Sequence, residues 1–317
     1  MPSILVTGAC GQIGSELVPA LRARYGHDAV VATDLEGRIE GSHLEGPLRA
    51  LDCTHIREIE HVVRHHAIEV IYHLAGLLSA VAEARPRAAW DVNMGGLYRI
   101  LEVAREHGAS VFFPSSIGAF GPSTPHDATP QVTIQRPNTI YGITKLSGEL
   151  LCDYYAQQYG LDTRGLRLPG IISHVAPPGG GTTDYAVDMF HHAVEGGRYT
   201  CFLRGDSCLD MMYMPDALRA MMGLMDADRE RLVHRNAYNV TAMSFTPQRL
   251  ADEIRKHISE FNIDYEVDPV RQAIADSWPN SLDDSAARQE WGWRPQWDIE
   301  TMTRDMLEHV RNKRAGS

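Results

Sequence analysis

The chain has 317 residues, 44% of them hydrophobic and 22% charged, enough apolar material for a substantial core in one large domain or two closely packed ones. Forty-one acidic against thirty basic side chains give a net charge of -11 with no long basic block, which argues against nucleic acid or an anionic membrane surface as a partner. No apolar stretch is long enough to span a bilayer, and Met1-Pro2-Ser3 runs straight into an apolar strand without a charged leader.

Ile4 to Thr7 is an apolar run, followed by glycines and a helical pattern through Ile13, Leu17, Ala20 and Leu21. Ala29 to Ala32 is a second run, ending at Thr33-Asp34, and a short strand is expected before Asp52. Ile56, Ile59, Val62 and Val63 form a helical face ahead of the run Val70 to Leu74. Trp90 to Glu106 reads as one long helix, Ser110 to Pro114 as a strand, Tyr141 to Tyr159 as a helix and Arg164 to Leu168 as a strand. Strands that are apolar throughout, separated by helices, predict an α/β fold: a Rossmann-type doubly wound parallel sheet covered on both faces. After Pro169 the rhythm changes. A proline- and glycine-rich loop from Pro177 to Thr183 precedes a helix over Tyr185 to Glu195. Short strand-like pieces follow at Tyr199 to Leu203, Ala237 to Val240 and Tyr265 to Val267, predicting a smaller mixed α/β C-terminal lobe. The run Met211, Met212, Met214 reads as core packing. The tail Trp291-Gly292-Trp293-Arg294-Pro295 is expected to pack against the body.

The five cysteines (Cys10, Cys53, Cys152, Cys201, Cys208) are scattered without a C-x-x-C pair and read as reduced thiols of a cytoplasmic protein. Among fifteen histidines, His65-His66 and His191-His192 are adjacent, but neighbours on a helix point apart, so no metal site is expected.

Gly8-Ala9-Cys10-Gly11-Gln12-Ile13-Gly14 joins the first strand to the first helix. Glycines there permit a tight turn and close approach to a pyrophosphate, to which the helix N-terminus offers free N–H groups. A glycine triplet alone is weak, since a plain small-residue turn looks the same. Asp34, 20 residues past Gly14 at the end of the second strand, gives it context. A carboxylate there accepts hydrogen bonds from ribose hydroxyls and repels a 2′-phosphate, so the expected cofactor is NAD. Residues 1–168 would then form the NAD-binding domain, joined by segments around 205–240, with 169–317 mainly a substrate-binding lobe.

Tyr141-Gly142-Ile143-Thr144-Lys145 puts Tyr and Lys on one helical face. An ammonium there favours the phenolate, lowers the phenol pKa from about 10 toward neutrality and makes Tyr141 a general base. Such pairs recur by chance. Here the preceding strand carries Ser115-Ser116, and Ser116 lies 25 residues before Tyr141. Ser116 would orient the reacting hydroxyl, and Lys145 would also hold the nicotinamide ribose. The chemistry is hydride transfer between a substrate carbon and the nicotinamide.

These motifs, in this order, resemble the extended short-chain dehydrogenase/reductase family. The resemblance implies a cofactor site of Gly8, Gly11, Gln12, Ile13, Gly14 and Asp34, with Asp52 and Cys53 at the adenine. Leu74, Ala75 and Gly76, within His73-Leu74-Ala75-Gly76, run beneath the cofactor, and Asn93 kinks the central helix. Ser115, Leu168 and Ile171 complete the site beside Tyr141 and Lys145. Family members often carry threonine at the Ser116 position and a bulkier residue at Leu168.

Nucleotide-sugar epimerases of the family hold a diphosphate with an asparagine and an arginine. Here those positions are Gly170, in Arg167-Leu168-Pro169-Gly170, and Leu209, in Leu209-Asp210-Met211-Met212-Tyr213, which points to a smaller substrate. Gly76-Leu77-Leu78-Ser79, Pro169 through Ser173, Pro177 through Tyr185, Tyr199 through Leu203, Met211 through Asp216 and Ser277-Trp278-Pro279 resemble one subgroup, the short-chain-type L-threonine 3-dehydrogenases. That resemblance implies NAD-dependent oxidation of L-threonine at C3 to L-2-amino-3-oxobutanoate. The substrate would lie among Ser79, Ser116, Tyr141, Gly181, Thr182, Thr183 and Trp278. The hydroxyls of Ser79, Thr182 and Thr183 suit a small carboxylate, Gly180-Gly181 would let backbone N–H groups approach it, and Trp278 would exclude water. Asp184 either faces the ammonium or caps the next helix. The family resemblance also implies a homodimer paired through the two long helices. Two other readings stay open: a nucleotide-sugar epimerase or dehydratase, and a catalytically silent NAD-binding regulator.

Overall fold

Seven strands form one parallel sheet in the order β3-β2-β1-β4-β5-β6-β10. They are β1 (Ile4–Thr7), β2 (Val30–Asp34), β3 (Leu48–Ala50), β4 (Val70–His73), β5 (Ser110–Ser116), β6 (Thr163–Leu168) and, after a long excursion, β10 (Tyr238–Asn239). This computed structural model describes residues 1–40, 42, 44–176 and 179–315; Pro177 and Pro178, at the head of the loop singled out above, lie outside the described residues.

The period of two along each strand explains why the sheet is covered twice. Ile4 and Val6 of β1 enter one core with Val30, Ala32, Tyr72, Phe112 and Leu166, under the helices Gly14–Tyr25 and Met214–Asp226. Leu5, Val31, Ile71, Val111 and Phe113 point the other way, into a second core with the helices Ile56–His65, Gly96–His107 and Ile140–Tyr159. All these side chains are at most 5% exposed, so the central strands β1, β2, β4 and β5 turn neither face to solvent. The tail tryptophans join the first core: Trp293 is 2% exposed and Trp291 packs against it.

Beyond β6 the chain builds two small sheets. β7 (Gly170–Ile172), β9 (Leu209–Tyr213) and β11 (Met243–Phe245) form one, with β9 in the middle. β8 (Arg198–Cys201) and β12 (Asn262–Tyr265) pair in parallel as the other. A third core lies here, under Tyr185, Phe190, Phe245, Phe261 and Trp278. Met211, Met212 and Met214 are fully buried, as their run suggested.

Several element boundaries differ from expectation. The third strand-like piece is Asn262–Tyr265, not Tyr265–Val267, because its register is set by β8: Asn262 pairs with Arg198 and Tyr265 with Cys201. The strands β8 and β10 are likewise shorter or shifted relative to Tyr199–Leu203 and Ala237–Val240. The expected continuous helix over Trp90–Glu106 is interrupted at its start by a π-helical turn, Trp90–Gly95, ahead of Gly96–His107. Asn93 sits in that turn. Its Oδ1 accepts the Leu77 N–H at 2.8 Å, and its Nδ2 donates to the Leu77 carbonyl and to Thr144 Oγ1, both at 3.2 Å. A side chain bonded to two other segments rather than to its own helix accounts for the local widening.

Candidate active site

The strand order reverses between β1 and β4, and at their carboxyl ends opens a cleft of about 620 Å³. One end of it is the turn after β1. Gly8 adopts φ +70° there, and a Cβ on it would lie 2.7 Å from the Ala75 nitrogen. Gly14 is closed in by the Gly8 and Ala9 backbone, so the Gly14–Tyr25 helix starts hard against the turn, and Gly14 itself lines the cleft.

Asp34 closes this end. Its Oδ2 accepts the Cys10 N–H at 2.9 Å and its Oδ1 the Leu35 N–H at 2.8 Å. Each oxygen keeps a lone pair for a ribose hydroxyl, and the carboxylate is held in place before any ligand arrives. Asp52 lies along the same wall, bonded to the Thr54 N–H and hydroxyl at 2.8 Å each, with its carboxyl below the ordinary range through these bonds despite its burial. Arg38, which sequence reasoning did not single out, also lines the cleft and acts electrostatically with Asp34 on Cys10. Asp34→Ala is therefore expected to weaken NAD and to narrow its preference over NADP, since Arg38 remains to meet a 2′-phosphate. Dissociation constants for both cofactors measure this, and an unchanged ratio would assign the discrimination to another group.

At the other end stand Ser116, Tyr141 and Lys145. Thr139 caps the Ile140–Tyr159 helix, its hydroxyl accepting the Gly142 N–H at 3.0 Å, so Tyr141 and Lys145 fall in the first turns facing β5. Lys145 Nζ donates to the Pro114 carbonyl at 2.6 Å and lies 5.5 Å from the centre of the Tyr141 ring. The Ser116 hydroxyl and the Tyr141 ring both flank Gly118, whose N–H Ser116 accepts at 3.1 Å.

One expectation is corrected here. Within the chain itself, burial raises the Tyr141 pKa, and the Ser116 hydroxyl only partly opposes it; Lys145 does not bring the phenol toward neutrality. The same burial pushes the Lys145 ammonium down to about 8, opposed by Glu149. A dry site penalises both charged forms.

Glu149 is a further residue that the sequence did not reveal. One turn beyond Lys145 and 3% exposed, it meets Arg167 at 2.8 Å and accepts a short hydrogen bond from Ser115. Ser115, expected at the cofactor, thus has its hydroxyl engaged beneath the cleft, although the residue lines it. The Tyr-x-x-x-Lys pattern extends to Glu149 at the next helical spacing, which is the signal that was there to be read. His73 is equally hidden: fully buried, it bonds Thr7 at 2.9 Å, and burial lowers its pKa to about 3, so it stays neutral.

Across the cleft, Ser79 and Thr182 bring their hydroxyls to 3.3 Å, and Thr183 and Trp278 line the same wall. The indole N–H of Trp278 is buried without an acceptor among the described residues. The expectation for Gly180 and Gly181 does not hold in this geometry. Both N–H groups donate to Asp184 Oδ2, at 2.8 and 2.7 Å, so Asp184 neither caps the next helix with its side chain nor leaves these donors free. Burial raises the Asp184 pKa, with the two N–H groups opposing.

The residues expected at the site line this cleft, from Gly8, Gly11, Gln12, Ile13 and Gly14 through Cys53, Leu74, Ala75 and Gly76 to Leu168 and Ile171, except Gly180 and Asn93. Asn93 stands behind the wall and touches the site only through Leu77 and Thr144. The two positions where a diphosphate would need ligands are closed. A Cβ at Gly170 would collide with the Met211 sulfur and come within 2.7 Å of Thr183, and Leu209 is 1% exposed inside the third core.

Residues 4–241 match the NAD dependent epimerase/dehydratase family. The chain belongs to that family. It is accordingly an NAD-dependent oxidoreductase, and the cleft's turn, acid and Tyr–Lys pair are the parts such a cofactor needs. It is 53% identical to an uncharacterized epimerase/dehydratase of Staphylococcus saprophyticus, over 99% of this chain and 98% of that one. Among solved structures it resembles the L-threonine dehydrogenase of Clostridium difficile, at 52% identity and a TM-score of 0.95, covering 99% of this chain and 98% of that one. It also resembles a monomeric L-threonine 3-dehydrogenase from a metagenome, at 45% identity and a TM-score of 0.95, covering 98% of this chain and 99% of that one.

Proposed function

We propose that this family member oxidises L-threonine at C3 to L-2-amino-3-oxobutanoate. The observation that carries the reading is the make-up of the cleft around Tyr141. Ser79, Ser116, Thr182 and Thr183 supply hydroxyls and Trp278 an unpaired N–H, while the one arginine among the described lining residues, Arg38, belongs to the Asp34 end. Donors without a guanidinium suit one small carboxylate better than a diphosphate. The substrate class of the solved neighbours agrees with this.

In the reaction, the Tyr141 phenolate takes the proton of the C3 hydroxyl while Ser116 holds that oxygen in place. A bound NAD would supply the hydride acceptor for C3. Lys145, fixed on the Pro114 carbonyl, would hold the nicotinamide ribose, with Ser115, Leu168 and Ile171 around it. Trp278 and the Ser79–Thr182 pair would keep water from the reacting carbon. Residues 169–317 would serve mainly as the substrate-binding lobe, with Gly181 shaping the loop through Asp184.

The test is NADH formation by the purified chain with L-threonine, beside D-threonine and UDP-galactose. Absorbance of NADH rising with L-threonine alone supports the assignment. No reaction with threonine, with turnover of the sugar nucleotide, returns the chain to the epimerase reading.

The protein is also proposed to act in the cytoplasm, as its five unpaired cysteines suit, and as a homodimer. No helix among the described residues is long and apolar enough to cross a membrane. Ile143, Leu150 and Tyr154 lie on one face of the Ile140–Tyr159 helix, at 38%, 61% and 50% exposure, and Tyr98 on the adjoining helix is 51% exposed. Two such stripes meeting across a two-fold axis would cover them. Sedimentation velocity decides it: Leu150→Glu is expected to convert a dimer to a monomer, whereas a wild-type chain that sediments as a monomer removes the proposal.

A further inference from the structure

Just past the end of β7, outside the residues that line the cleft, His174, Asp305 and His309 bring one nitrogen or oxygen donor each within 4.8 Å of one another. We infer that this cluster is a binding site for a divalent transition-metal ion of the zinc type, joining the C-terminal helix to the segment that enters the substrate loop. No metal site was expected from the sequence, because His174 lies more than a hundred residues before Asp305 and His309 and only tertiary structure brings it to them.

Each donor is delivered by a defined piece of the fold. Asp305 and His309 are four residues apart on the Ile299–Ala315 helix and so share a face. His174 sits in the turn after β7, fixed on both sides. The Ser173 hydroxyl accepts the Val175 N–H at 3.0 Å and bonds Glu16, and Lys313 Nζ reaches the Val175 carbonyl at 3.1 Å. The carboxylate has an orienting partner of the kind metal ligands use. The Tyr213 phenol, fully buried against Trp297, donates to Asp305 Oδ2 at 2.5 Å, leaving Oδ1 for an ion.

Two imidazoles and a carboxylate are a zinc donor set with a fourth position for water. The rings must move to use it. His174 and His309 are stacked 3.9 Å apart and within 2° of parallel, and a metal lies in the plane of each ring it binds, so parallel rings cannot share one. Donors around a tetrahedral zinc stand about 3.3 Å apart, so each ring need only turn out of the stack and close by an ångström or so. Ala176, two residues past His174, lines the cleft, so an ion here would pin the base of the substrate loop to the C-terminal helix.

The experiment titrates the full-length chain with Co²⁺ and then displaces it with Zn²⁺, following visible absorption and the unfolding temperature. One equivalent with tetrahedral nitrogen–oxygen bands, raising the unfolding temperature, is expected. His309→Ala and His174→Ala should each abolish the bands, and Tyr213→Phe, which removes no ligand, should weaken the ion about ten- to a hundredfold. His61→Ala, in the other stacked pair, His61 and His65, should leave affinity unchanged. Binding that survives His309→Ala and His174→Ala, thiolate charge-transfer bands, or no saturable binding would each overturn the inference. The stacked rings and the 3.7 Å Asp305–His309 pair would then be surface packing alone.

Discussion

Tyr141→Phe is expected to lower turnover at least about a hundredfold while leaving NAD affinity close to that of the wild type. The ring is 8% exposed and packs with Ala82 and Ala89, so phenylalanine keeps the shape and the fold. What disappears is the hydroxyl that the Ser116 side chain meets. The pH profile gives the same residue a second signature. Because burial raises the phenol pKa, the phenolate fraction in the chain alone climbs with pH across the neutral range, and the rate of alcohol oxidation should climb with it. Loss of the Lys145 proton, with its pKa at about 8, sets the opposing limb. Steady-state rates over pH, with NAD binding followed by fluorescence, separate these effects. Near-normal turnover in the variant, or a rising limb that persists in it, would remove Tyr141 as the base.

The largest expected loss of stability is at Arg167. Arg167 is 5% exposed, and its guanidinium reaches Glu149 at 2.8 Å, the Gln131 carbonyl at 2.8 Å, and Asn239 Oδ1 and Gln135 Oε1 at 3.1 Å, with the Phe120 ring 5.0 Å away. Attraction between the two buried charges does little beyond offsetting their desolvation, but removing one leaves the other uncompensated in a dry environment. Arg167→Met is expected to cost about 3–5 kcal/mol in urea unfolding. Glu149→Leu in the same chain should restore much of that, because the unpaired carboxylate goes with it. The exposed Arg204–Asp276 pair is the internal comparison: at 48% and 47% side-chain exposure, its removal is expected to cost no more than about 1 kcal/mol. An Arg167→Met cost within that smaller range would show that Glu149 does not depend on its buried partner. Activity should fall with stability in this variant, since Glu149 holds Ser115 beneath the cleft and opposes the lowering of the Lys145 pKa.

Much of the molecule was legible in the sequence because its signals are local. The central strands β1, β2, β4 and β5 are largely apolar runs whose alternate residues face two cores, so period and composition are enough to find them. The turn after β1, Asp34, Ser116, Tyr141 and Lys145 were legible for a similar reason. Each sits at a fixed offset from a strand end or helix start, and the doubly wound topology carries all those ends to one edge. The π-helical turn at Asn93 and the register of β12 were not legible, since a side chain bonded to another segment decides the first and β8 decides the second.

What only the tertiary structure decided was how polar groups pair across distance. Asp184 takes the Gly180 and Gly181 N–H groups, Glu149 lies between Ser115 and Arg167, Leu209 turns into the third core, and His174 meets Asp305 and His309. Propensity and periodicity act over a few residues and place elements. Hydrogen-bond partners and charge burial depend on which distant segments share a dry space, and that exists only once the elements have packed.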